Sequence, residues 1–285
     1  MTEYNLILEN VNVTLDSFDL QDISIQIPKG QIVGFVGENG AGKTTTIKTI
    51  LNLLTPVSGE IKIFGSHNLD QKPAIKEKIG VILDDSFFDE NFKIYQIEKV
   101  MQHAYKNWDR AYFSELLKSH DIDKNKTFKE CSKGMQAKLK IFLALAHHPQ
   151  LLLLDEPTTG LDPVSRQEIL DIFRDFMDDE KSILFSSHIT SDLDKIADQI
   201  ILIHKGAIQF IEDQSTLDEN YALLKITPEI YAELNNFEFL AVLEQSHSVT
   251  CLTTQKELFR REFPEFEMTT PTIEDILLLF KKGVH

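Results

Sequence analysis

The stretch Gly37-Glu38-Asn39-Gly40-Ala41-Gly42-Lys43-Thr44 constrains this chain more than any other segment. It fits the pattern GxxxxGK[ST]. Ahead of it, IVGFV is apolar on both faces of a strand, as a buried central strand is. Behind it, Ile47, Ile50, Leu51 and Leu54 recur at helical spacing, with Pro56 as the expected stop. Between a strand and a helix, such glycines let the backbone curl until several N–H groups face one phosphate chain. The helix then adds its positive N-terminal end. The backbone from Gly37 through Glu38, Asn39, Gly40 and Ala41 to Gly42 is thus expected to cradle a nucleotide. Lys43 would reach the β- and γ-phosphates, Thr44 would ligate Mg²⁺, and Thr45 would touch the α-phosphate.

A second apolar strand candidate, residues 151–154 (LLLL), ends in Asp155 and Glu156. Lying beside the phosphate-loop strand, it would bring Asp155 to the Mg²⁺. Glu156, free of the metal, would polarise an attacking water. Asp162 and Pro163 mark the N-cap and first position of the next helix. Strand patterns occupy residues 4–35, helical patterns dominate 86–150, and QIILIHKGAIQF reads as a hairpin. The alternation of strand and helix predicts an α/β domain with a mainly parallel sheet. From residue 216 the patterns weaken into a small α+β appendage, ended by a helix after Pro271.

The segment CSKGMQ, then eighteen residues, then DEPTTGLDP, and later SSH, follow the phosphate loop in sequence. In order and spacing this set resembles the ABC ATPase family over residues 4 to about 215. The resemblance implies a P-loop NTPase cassette over 1–215, with an antiparallel N-terminal β subdomain, a helical subdomain at about 86–150, and the appendage at 216–285. It implies two cassettes closing head to tail on two ATP molecules, in a homo- or heterodimer. Ser132 and Gly134 would then touch the γ-phosphate held by the partner, with Ser132 at a helix N-terminus, where anions are attracted. Leu161 and Asp162 would form the loop that communicates across the dimer, and His188 would act as the switch histidine on the γ-phosphate.

Three features depart from the family pattern. Lys133 and Met135 stand where the usual signature has Gly and Gln; Lys133 either adds charge near the partner's phosphate or points to solvent. Asp84 replaces a Gln that bridges metal or water, and is taken as a further Mg²⁺ contact. Gapless comparison puts Leu15 at the adenine-stacking position, with Phe18 three residues on as a substitute. The SKGM signature and the PTIEDILLLF ending resemble ATPases of exporters with separate membrane subunits.

Composition excludes other classes. A net charge of -16 repels phosphate backbones, which argues against nucleic acid as partner. Cys131 and Cys251 suggest neither metal spacing nor a disulfide framework, so a reducing, cytoplasmic setting is expected. No apolar run approaches the ~18 residues of a membrane span and no secretory signal is seen at the start. If the protein works at a membrane, another polypeptide must do the spanning; the resemblance implies a separate transmembrane permease, with this chain peripheral on the inner face of the cell membrane.

Overall fold

The computed structural model describes residues 3–67, 72–83, 89–234 and 237–283. Strands β1 (Tyr4–Leu15), β2 (Phe18–Pro28) and β3 (Ile32–Val36) lead into helix α1 (Lys43–Ile50), then β4 (Ser58–Ile63), α2 (Pro73–Lys76) and β5 (Ile79–Ile82). A helical stretch follows: α3 (Ile94–Ala104), α4 (Arg110–Ser119), a single 3-10 turn at Phe128–Glu130, and α5 (Lys133–Leu145). Next come β6 (Leu151–Asp155), α6 (Pro163–Phe176), β7 (Ser182–Ser187), α7 (Thr190–Ile196) and the hairpin β8 (Gln199–His204) and β9 (Ala207–Asp213). The chain closes with α8 (Gln214–Asn220), β10 (Ala222–Ile226), α9 (Pro228–Glu233), β11 (Ala241–Glu244), β12 (Val249–Thr253), α10 (Lys256–Glu262), β13 (Met268–Thr269) and α11 (Ile273–Lys282).

The central sheet has the order β5-β6-β7-β3-β8-β9. All its pairings are parallel except β8 with β9. The mainly parallel sheet expected from the sequence is therefore present. Its strand order corrects one expectation: β6 is not the neighbour of β3, because β7 lies between them. The period of two in a strand then sorts the core. Val36, Leu152, Leu154 and Phe185 face one apolar cluster with the helices of the 94–176 region, whereas Phe35, Leu151, Leu153 and Leu184 face a second cluster. The antiparallel sheet β2-β1-β4 and α1 complete that second cluster.

Helix α1 also stops earlier than Pro56 suggested, at Ile50. Asn52 takes φ 57°, the left-handed conformation that ends helices and that Asn tolerates.

The last sheet, β11-β12-β10-β13, is two-sided. Leu224, Ile226, Cys251 and Phe259 form an apolar cluster of their own. Leu223, Leu243 and Leu252 on the other face join Ile276, Leu279 and Phe280 of α11, and with them the main core. Among the described residues no helix is long and apolar enough to cross a membrane.

Candidate functional site

The loop after β3 turns on Gly42, the residue before α1, at φ 119°. A Cβ there would stand 2.7 Å from Leu20 Cδ2 and 3.1 Å from the tip of the Phe18 ring, so both backbone angle and space require glycine. Lys43 is buried at 5% exposure. Its ammonium donates to the carbonyls of Gly37 (2.6 Å) and Glu38 (3.2 Å) and pairs with Glu156 Oε1 at 3.2 Å. Thr44, exposed on the first turn of α1, donates from Oγ1 to Asp155 Oδ2 at 2.7 Å. The structure thus joins Lys43, Thr44, Asp155 and Glu156, although a whole strand separates β3 from β6.

That strand supplies what sequence reasoning missed. Ser186 of β7 is fully buried and donates to Asp155 Oδ1 at 2.7 Å. Its carbonyl and hydroxyl both accept from the Glu156 N–H, at 3.1 and 3.3 Å. Glu156 has φ 52°, a left-handed conformation that is uncommon without glycine and persists only where neighbours hold it. Ser186 is that neighbour. The SSH segment marks its position, but its bond to Asp155 depends on β7 lying beside β6.

His188, exposed beyond the end of β7, places Nδ1 2.6 Å from Glu156 Oε2. Thr159 Oγ1 donates to the same oxygen at 2.9 Å. One carboxylate is therefore gripped by a lysine, a histidine and a threonine from three segments. The oxygen pair of Thr44 and Asp155 suits a small hard cation that takes few protein ligands and completes its shell with water and phosphate oxygens. Among the described residues no three His, Cys, Asp or Glu side chains gather as a metal site of their own. Such a cation would fit here as the companion of a phosphate chain.

Among the described residues the Ser132 hydroxyl makes no hydrogen bond to this corner. Ser132 is the exposed N-cap of α5, its Oγ accepting from the Met135 N–H at 3.2 Å. Gly134 is buried, and a Cβ on it would collide with the hydroxyl of Ser165 on α6. Close packing of α5 on α6 thus explains this glycine within one chain. Cys131 is a buried apolar filler, its thiol raised above the usual range by burial. Lys133 is exposed and, with Gln136 and Lys140, lines one wall of a groove whose other wall holds Asp155, Glu156 and Thr159.

Asp162 caps α6, accepting from the N–H groups of Val164 and Ser165 at 3.0 Å each and from the Ser165 hydroxyl at 2.7 Å. Those bonds, the serine hydroxyl first, hold its carboxyl below the usual carboxylate range. Asn39 and Gly40 are exposed and Ala41 buried, its N–H bonded to the Glu38 carbonyl. Thr45 is half-buried on the first turn of α1. Glu38 is engaged from an unexpected quarter: Lys281 near the end of α11 forms an ion pair with its carboxylate. Leu15 is exposed at the β1–β2 turn. Asp84 lies outside the described residues.

A family model described as "ABC transporter" matches residues 20–159. The chain is similar to the ABC transporter ATP-binding protein YtrB of Bacillus subtilis, 31% identical over 228 residues that cover 80% of this chain and 76% of the relative. It is 29% identical over 261 residues to the bacitracin transport ATP-binding protein BcrA of Enterococcus faecalis, covering 89% of this chain and 83% of BcrA. A solved dimeric ATP-binding cassette in a post-hydrolysis state with ADP and phosphate superposes with a TM-score of 0.64 at 22% identity, over 73% of this chain and 98% of that one.

Proposed function

The chain belongs to the ABC transporter family of ATP-binding proteins, and from that membership we propose that it hydrolyses ATP at the corner built by Lys43, Thr44, Asp155, Glu156 and His188. The observation that carries the proposal is the Thr44–Asp155 contact at 2.7 Å with Glu156, the next residue, tied to Lys43 and His188. The loop amides from Gly37 to Gly42 and the N-terminus of α1 hold the phosphate chain. Lys43 and His188 offset the charge that develops on the transferring phosphoryl group. Glu156 orients a water and takes its proton while the water oxygen attacks the γ-phosphorus. The bond to the β-phosphate oxygen breaks, leaving ADP and inorganic phosphate. Thr44 and Asp155 would hold Mg²⁺, which supplies charge neutralisation to the phosphates. Asp84 is retained as a further metal contact, and Phe18, whose ring tip stands beside the position of Gly42, is favoured over Leu15 as the apolar contact to adenine.

On the same reading Ser132, Gly134 and Asp162 of a second cassette would complete the site. Residues 1–215 form the cassette, and 216–285 an appendage. A separate permease, docked on the helical region, would span the membrane and hold this chain at the inner face. Export is the favoured direction, supported by the SKGM signature and by the named transport role of BcrA.

Glu156→Gln tests the reading. It should bind ATP, slow turnover by about 10²- to 10⁴-fold, and accumulate as an ATP-bound dimer on size exclusion. Turnover at the wild-type rate would remove Glu156 from the mechanism.

A further inference from the structure

Two segments grip the Glu156 carboxylate from different sides. Thr159 sits in the loop leading into α6, and His188 sits just before α7. Behind them, a charge pair links α6 to α7. Asp192, in the first turn of α7, is fully buried at 0% exposure, and neither of its carboxylate oxygens meets a hydrogen-bond partner among the described residues. Its counter-charge is Arg166 of α6, with Nε 3.6 Å from Asp192 Oδ2. The same guanidinium turns its Nη2 toward the Thr159 loop and reaches the Leu161 carbonyl at 3.4 Å. One arginine therefore touches both the helix that follows His188 and the loop that carries Thr159.

Such a pair is a poor device for stability alone. A buried carboxylate without hydrogen bonds is costly, and an apolar side chain of similar volume in its place is often neutral or stabilising. The placement makes sense where geometry matters more than stability, just beyond the segments that set one catalytic oxygen. We propose that Arg166 and Asp192 are positioning residues for Glu156. They fix the distance between the Thr159 loop and the His188 segment, so that the carboxylate presents one oxygen to one water position. The proposal rests on the hydrolytic reading of Glu156 given above.

The test is steady-state ATP hydrolysis by the full chain carrying Asp192→Asn, which keeps the side-chain shape, and Arg166→Lys, which keeps charge but loses the reach to Leu161. For Asp192→Asn, kcat should fall at least about 10-fold while KM for ATP stays within about twofold and the melting temperature is held, because misplacement of a catalytic group acts on the reacting step. Arg166→Lys should recover part of kcat relative to Arg166→Met. The Asp192→Asn, Arg166→Met double variant should be no slower than the worse single one, since both break the same link. A kcat that falls only in proportion to lost folded protein, or a KM that rises while kcat holds, overturns the proposal. Glu156→Gln measured alongside separates the two readings. If it retains turnover, the role of Glu156 fails. If it stops turnover while Asp192→Asn does not, the positioning role alone fails.

Discussion

The carboxylate corner at the ends of β6 and β7 and the tip of α5 are both assigned to the same nucleotide chemistry, yet they are built in opposite ways. At the corner Lys43, Thr44, Asp155, Glu156 and His188 each have partners within the chain, and Ser186 of the intervening strand ties Asp155 to the Glu156 backbone. At the tip Ser132 is exposed and its hydroxyl serves only its own helix among the described residues, through Met135. The first region is preorganised and the second is a helix end awaiting a surface to meet. On the proposed reading, a head-to-tail pair with this asymmetry would let each chain hold nucleotide alone and act on it only when joined, because the tip would add its helix end from outside.

The contrast predicts that the two regions fail differently. Lys43→Ala should have the largest effect on binding. Loss of charge-assisted bonds worth about 1.5–3 kcal/mol should weaken ATP affinity of the isolated chain by about 10- to 100-fold, as measured by calorimetry. Unchanged affinity would discredit the phosphate-loop role and erase the contrast at its root.

A pH experiment sharpens the same comparison from the other end of α5. That helix is free at Ser132 but anchored beyond its C-terminus by His147, buried under Tyr105 with Nε2 3.2 Å from the Ile79 carbonyl. Burial pushes the His147 pKa down from 6.5 to about 4, against the opposing pull of the Ile79 bond. The folded state thus binds fewer protons than the unfolded chain across that window. Its contribution is present above 6.5 and is lost as pH falls toward 4. We expect about 2 kcal/mol less stability at pH 5 than at pH 7 from this group, an order-of-magnitude figure. Urea unfolding of His147→Gln should show a flatter acid limb, and an acid limb identical to wild type would show that the anchor does not titrate.

Ser132→Ala should be milder than either. Loss of the cap costs about 1 kcal/mol of helix stability. ATP affinity of the single chain should hold, while dimer formation in the Glu156→Gln background should weaken by roughly 10-fold through the lost contact to phosphate. If single-chain affinity fell as far as in Lys43→Ala, the tip would belong to the corner and the contrast would be wrong.

These differences also explain what the sequence could reveal. The phosphate loop, the Asp162 cap and the Ser132 helix start are local events, written in consecutive residues, and the structure has all three. Strand order is not local. The run 151–154 announces a buried strand but not that β7 will intervene, so the bridging role of Ser186 could not be read from spacing. Gly134 shows the reverse case: the motif identified it, but its packing against Ser165 appears only when α5 meets α6. The early end of α1 is legible in Asn52, which follows the last buried helical residue closely, ahead of the more conspicuous Pro56.

The smallest effect tests whether the corner is as self-contained as the contrast requires. Lys281 reaches back from α11 to Glu38, a residue of the phosphate loop, 243 positions earlier. Both side chains are more than a third exposed, so solvent screens the pair and its worth is at most about 1 kcal/mol. The lysine hydrogen bond nevertheless holds the Glu38 carboxyl below its usual range. A depressed carboxyl contributes stability above its unfolded pKa, lost as pH falls through the folded one. Lys281→Ala should therefore lower the melting temperature by under about 3 °C at neutral pH. The gap between variant and wild type should close in acid, once Glu38 is protonated in both. ATP affinity should hold if the loop is organised by Lys43 and Gly42 from within. A clear loss of affinity in Lys281→Ala would mean that the last helix of the chain helps to shape the phosphate loop, and that the corner depends on a distant segment much as the tip depends on a partner.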